Sequence, residues 1–147
     1  MLTNSAVYAT IPATDIKRAR KFYEEKLGLK VMMEDPSPGI MFMAGKGTML
    51  YVYQRAASKA DHTLATFEVD DIEAEVKGLM SMGVKFEEYD MPEMRMKTMN
   101  GIATMKSTMG EMKTAWFKDS EGNILNIVEM SMAMKEKAMA GMTGAKA

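Results

Sequence analysis

Hydrophobic and polar positions alternate in short runs along most of this chain, and twice the pattern switches to helical spacing. Residues 7–12 read as a short strand that Pro12 closes, because proline cannot donate to a ladder. Thr14 or Asp15 then caps a helix whose apolar positions Ile16, Ala19, Phe22, Tyr23 and Leu27 share one face, while Lys17, Arg18, Lys21, Glu24, Glu25 and Lys26 face water. Gly28 stops this helix in the left-handed conformation. Period-two runs at 30–34, 40–44 and 49–54 predict three strands, with Pro36-Ser37-Pro38-Gly39 as the first turn.

A polar connection at 56–61 leads into a second pass through the same sequence of elements. A strand at 63–69 precedes a helix that Asp70 and Glu73 start in the manner of a capping box, with Ile72, Val76, Leu79 and Met80 as its buried stripe. Residues 84–88 read as a strand. Residues 113–117 and 124–128 flank Asp119-Ser120-Glu121-Gly122-Asn123, a hairpin by its turn chemistry. Between them, 89–111 holds Asn100-Gly101, a tight-turn signal, and reads as either a small hairpin or a flap over a cavity. The tail from 131 to 147 reads as a short helix that frays.

The two passes can be laid on each other. With Gly47 on Gly122, Phe42 falls on Phe117 and residues 49–52 fall on 124–127. Asp15-Ile16 through Gly28 likewise matches Asp71-Ile72 through Gly83 to within one residue of length. Repeats fix architecture before local detail does. The fold class predicted is α+β, built from two tandem βαβββ modules at about 5–54 and 62–130.

Composition narrows the partners. At 147 residues the chain is one domain's worth. A net charge of −1 without a basic stripe argues against nucleic acid. With no cysteine there are no disulfides, thiol nucleophiles or thiolate metal sites, which fits a reducing cytosol. The first residues lack the pattern of a secretory signal, and no apolar run approaches a membrane span, so the expectation is a cytoplasmic protein with no membrane partner. Twenty methionines are the anomaly, most of them from Met91 onward.

The stretches VYATIPATDIKRARKFYEEKLGLKV, ATFEVDDIEAEVKGLMSMGVKFEEYD and AWFKDSEGNIL resemble the vicinal-oxygen-chelate superfamily of glyoxalases, bleomycin-resistance proteins and extradiol dioxygenases, over about residues 5 to 130. The resemblance implies paired modules whose mixed sheet curls into a cup around a ligand, dimers as a common state and, in the metal enzymes, His, Glu or Gln at four strand positions that hold a divalent ion. Those positions fall here on Tyr8, Tyr51, Leu64 and Asn126. None is a carboxylate or imidazole, so no metal and no other cofactor is expected.

The same strand faces carry Tyr8, Thr10, Tyr51, Tyr53, Leu64, Thr66 and Asn126, joined by Trp116, which together suit the lining of a small-molecule pocket as well as they suit a plain core. His62 and Glu68 share the face of Leu64 and are the acid–base candidates, each weighed against a solvated structural role. The reading that follows is metal-independent binding of an apolar or aromatic small molecule by a homodimer, akin to the bleomycin-resistance branch. A glyoxalase-like lyase or isomerase is the alternative, leaving open whether the protein is an enzyme. A second alternative is soft-metal binding of Cu(I) or Ag(I) by the thioethers from Met91 to Met112.

Overall fold

The computed structural model describes residues 2–144. The chain forms two compact units: one runs from its start to Ala65 and includes Lys118–Leu125, and the other comprises Thr66–Phe117 and the chain from Asn126 onward. In the first unit, β1 (Ala9–Ala13), β2 (Lys30–Asp35), β3 (Gly39–Met43) and β4 (Met49–Gln54) make a four-stranded sheet in the order β1-β4-β3-β2. β1 runs parallel to β4, and the other pairs are antiparallel. Ile11, Ala13, Phe42, Leu50 and Val52 are buried on one face, together with Ala19 and Tyr23 of the helix. Period-two patterning therefore sorts β1 and β4 into a core face and a more open face, while β3 is buried on both faces from Gly39 to Phe42.

Pro12 sits inside β1 rather than ending it, paired in register with Tyr53. The strand tolerates it because β1 is an edge, where one side of the backbone has no ladder to donate to. Asp15 is the cap of α1 (Ile16–Lys21), its carboxylate accepting from the backbone N–H groups of Lys17 and Arg18 at 3.0 Å. The single regular helix expected here instead widens into a π turn over Phe22–Lys26 before Gly28 ends it at a φ of 69°.

The widened turn presents Tyr23 to Asp119, whose carboxylate accepts from the phenol at 2.6 Å, from Asn123 Nδ2 at 2.8 Å and from the N–H groups of Glu121 and Asn123 at 2.8 and 2.9 Å. Burial, and after it the facing Asp119 charge, pushes the Tyr23 phenol well above its ordinary value. Asn123 Nδ2 also donates to the Pro12 carbonyl at 2.8 Å. Glu121 completes the turn, its carboxylate accepting from Arg18 Nε at 2.7 Å, Asp15 N at 2.9 Å, and Thr14 Oγ1 and Ser120 Oγ at 3.0 Å. The Asp119–Asn123 turn, one of the stretches that carry the resemblance, is thus a structural turn built into the first unit.

The second sheet has the order β5-β10-β9-β8-β7-β6, formed by β5 (Thr63–Glu68), β6 (Asp90–Met91), β7 (Met96–Met99), β8 (Ile102–Ser107), β9 (Gly110–Lys118) and β10 (Ile124–Met130). Its β5-β10-β9 part repeats β1-β4-β3. The cap of α2 (Ile72–Ser81) is Asp71, not Asp70. Its carboxylate accepts from Ala74 N at 3.0 Å, while the Glu73 carboxylate accepts from Lys113 Nζ at 3.0 Å instead of closing a capping box. Ile72, Val76 and Leu79 are buried as the pattern predicts, but Met80 is 47% exposed.

The turns confirm the superposition of Gly47 on Gly122. Both glycines have positive φ, 76° and 83°, and the bond from Ala44 N to Thr48 O at 2.9 Å has its counterpart from Asp119 N to Asn123 O at 3.0 Å. Residues 84–88 are not a ladder strand and touch the sheet as one bridge between Phe86 and Phe117. The reason is competition for an edge, since β8 occupies β9 from Gly110 to Ala115. The 89–111 segment is a hairpin about Asn100 and Gly101, at φ 53° and 80°, the two left-handed residues a tight primed turn needs. The tail is α3 (Met132–Gly144) as far as the described residues extend. No helix among them is long and apolar enough to cross a membrane.

Candidate functional site

The open face of the first sheet carries most of the polar aromatic chemistry. Register places Thr10 beside Tyr51 and Pro12 beside Tyr53, with Met41 and Gly39 on the far side of β4. Tyr8 precedes β1 and is 44% exposed. The Tyr51 and Tyr53 rings stand stacked, 6.2 Å apart at 2°. Tyr51 lies across Gly39 so closely that a Cβ there would come within 2.1 Å of its hydroxyl. The absence of a side chain on Gly39 is what lets the phenol lie across β3 and approach Asp35. Partial burial, and after it the Asp35 charge, raises the Tyr51 phenol, while hydrogen bonds from Ser37 and then Tyr51 lower Asp35.

Next to Tyr53 the connection between modules folds back to close a cavity of about 440 Å³, lined by Thr10, Pro12, Tyr53, Arg55, Ala57, Ser58, Lys59 and Leu64. Arg55 is fixed at both ends: its backbone N–H donates to the Ala13 carbonyl at 2.9 Å and its Nη1 donates to the Tyr53 hydroxyl at 3.2 Å. Two cations and three hydroxyls therefore converge with an aromatic ring, and no carboxylate lines the space. Thr10, Tyr53 and Leu64 were legible as lining residues, whereas Arg55, Ser58 and Lys59 were not. Their only signal is a linker, RAASK, that carries two cations and no acid.

The remaining sequence candidates lie elsewhere. Thr66 is exposed on β5, and Trp116 packs edge-on against Tyr89 at 5.5 Å in the second unit. Asn126 Nδ2 donates to Thr114 Oγ1 at 3.0 Å, while its buried Oδ1 has no partner among the described residues. His62 has a side chain 71% exposed, 3.8 Å from Asp61, and Glu68 stands 3.8 Å from Lys135. Neither lines the cavity.

The divalent ion of the metal enzymes does not fit the positions that correspond here. Leu64 has no donor, Tyr8 and Tyr51 offer only phenol oxygens and Asn126 a single amide oxygen. Among the described residues no three His, Asp or Glu side chains are grouped to hold a metal.

Among curated proteins, none matches the chain by sequence. Solved structures match it in fold. The fosfomycin resistance protein FosX of Listeria monocytogenes, complexed with Mn(II) and sulfate, superposes with a TM-score of 0.64 at 10% identity, covering 92% of this chain and 98% of that one. A lactoylglutathione lyase of Agrobacterium tumefaciens gives 0.57 at 20% identity over 86% and 95%. An integron cassette protein of V. cholerae gives 0.59 at 18% identity over 89% and 100%. At these identities the likeness concerns the fold alone. Sequence carries the assignment further: by the match over residues 5–127, the chain belongs to the Glyoxalase/Bleomycin resistance protein/Dioxygenase superfamily.

Proposed function

We propose that the protein binds a small aromatic molecule without a metal, holding it against Tyr53 in the cavity of the first unit. The observation that carries this reading is the pairing of a preformed aromatic wall, Tyr51 stacked on Tyr53, with an adjoining space of about 440 Å³. Small-molecule sites typically measure about 300–1,000 Å³ and combine apolar walls with a few oriented polar groups. A ring–ring contact adds about 0.5–1.5 kcal/mol beyond area burial. Arg55, anchored to Tyr53, and Ser58 supply the orienting groups. Binding needs nothing more, whereas enolate chemistry also needs a general base, and neither a carboxylate nor an imidazole lines this space.

A glyoxalase-like lyase or isomerase is the second reading, and one observation favours it. Asn126, at a chelating position of the superfamily's metal enzymes, holds a buried amide oxygen without a partner among the described residues, an acceptor that a substrate hydroxyl would satisfy. A thermal-shift screen of aromatic acids and their neutral analogues, followed by product analysis of each hit, separates the two. A ligand at 100 times its dissociation constant adds about 2.7 kcal/mol. Hits returned unchanged, and lost on Tyr53→Ala, support binding. Turnover of a hit supports the enzyme, and a screen in which no aromatic compound stabilises the protein ends the proposal.

A further inference from the structure

The second unit contains a larger cavity, of about 820 Å³, that the reading above does not use. Its walls carry four methionines from three elements and a turn: Met94 before β7, Met105 on β8, Met112 on β9 and Met134 on α3. Met105 and Met112 are direct cross-strand partners. α3 is seated against the β8–β9 turn, with Ser131 N donating to the Glu111 carbonyl at 2.9 Å and Lys137 Nζ to the Thr108 carbonyl at 3.2 Å. Gly110 makes that approach possible, since a Cβ there would stand 2.5 Å from Ser131 Oγ and 2.8 Å from Met134 Cγ.

The charges at this cavity are positive. Lys106 has Glu111 only at 3.9 Å. Arg95 has no side-chain hydrogen bond or ion pair among the described residues, although Arg18, Arg20 and Arg55 all do. Its backbone is also left-handed, with a φ of 50°, which few residues other than glycine adopt. A strained residue that lines a cavity with an unused guanidinium fits an anion. Four unbranched thioethers fit an unbranched apolar chain, because methionine re-forms its contacts around whatever shape enters. The same cations oppose Cu(I) or Ag(I), even though thioethers are the ligands those ions prefer.

We propose that this cavity is a second binding site, for a monomeric amphiphile with one anionic head group and a linear hydrocarbon tail, the head on Arg95 and the tail among Met94, Met105, Met112 and Met134. Protein labelled with carbon-13 at the methionine methyls, titrated with decanoate and in parallel with decanol, tests it. Decanoate is expected to move those four methyl signals saturably and to leave those of Met33 and Met43 unmoved. Arg95→Gln, a change at an exposed side chain, should weaken decanoate about ten-fold or more and leave decanol unchanged. Decanoate that moves no signal, or moves all methionines alike, overturns the site. An Arg95→Gln variant that binds decanoate as well as the wild type overturns the anion contact. Saturable shifts of the same four methyls with Ag(I), and none with decanoate, would give the cavity to soft metal instead.

Discussion

Glu121 is the residue on which the acid stability of the first unit is expected to depend. Its side chain is only 2% exposed, and burial alone would push its pKa up. Hydrogen bonds from Arg18, Asp15, Ser120 and Thr14 outweigh that effect and hold it at about 2, against an ordinary 4.5. A carboxylate whose folded pKa is depressed contributes stability that is fully present above the unfolded value and is lost as pH falls through the folded one. The window therefore runs from about 4.5 down to about 2. The gap between those values caps the effect near ~3 kcal/mol. Arg18, the strongest partner, is 53% exposed, so solvent screening reduces the expectation to about 1–2 kcal/mol. Urea unfolding of the wild type and of Glu121→Gln from pH 7 to pH 2.5 measures it. The wild type should be more stable by that amount at pH 7, and the two should converge in acid. A difference that stays constant across the range would refute the electrostatic account and leave only packing.

Three further outcomes are expected. Tyr23→Phe removes one of four donors to the buried Asp119 carboxylate and should cost about 1–3 kcal/mol in chemical denaturation, while Asn123 Nδ2 and two backbone N–H groups keep the turn closed. Gly39→Ala forces the Tyr51 ring away from Asp35 and from its stack on Tyr53, and should lower stability by about 1–3 kcal/mol in thermal melts and weaken any ligand that stabilises the wild type. Sedimentation equilibrium is expected to show a homodimer rather than a 16.4 kDa species alone, since Met32, Met33 and Met43 leave apolar side chains exposed on β2 and β3.

What could be read from the sequence was what local backbone chemistry dictates. Asp15 caps because a short carboxylate reaches the first free N–H groups of a helix, and Gly28, Gly47, Gly122 and Asn100-Gly101 mark places where φ must be positive. Those signals were enough to superpose the halves. Most of the misreadings involve a neighbour that is remote in sequence, whereas the cap of the second helix, read at Asp70 and found at Asp71, is a local slip of one residue. Pro12 survives within β1 because only β4 lies beside it, and residues 84–88 lose their ladder because β8 takes the edge of β9. The helix widens at Phe22 where the next residue, Tyr23, meets Asp119, ninety-six positions away. The cavity escaped for a different reason. A charged linker has no periodicity, so nothing in residues 55–59 announces that Arg55 would fold back onto Tyr53.

The turn at Asp119–Asn123 also bears on how independent a half of this duplicated chain can be. In the equivalent turn of the first half, Ala44, Lys46 and Thr48 stand where the second has Asp119, Glu121 and Asn123, so the acceptors for Tyr23 and Arg18 occur once, not twice. A fragment ending after β4 would retain a complete four-stranded sheet yet bury a phenol with no acceptor and leave Arg18 without its carboxylate. Such a fragment is therefore expected to fold only when a peptide bearing the 118–125 sequence is supplied in trans. The symmetry of the repeat is one of shape, and the chemistry that closes the first unit is borrowed from a single distant turn.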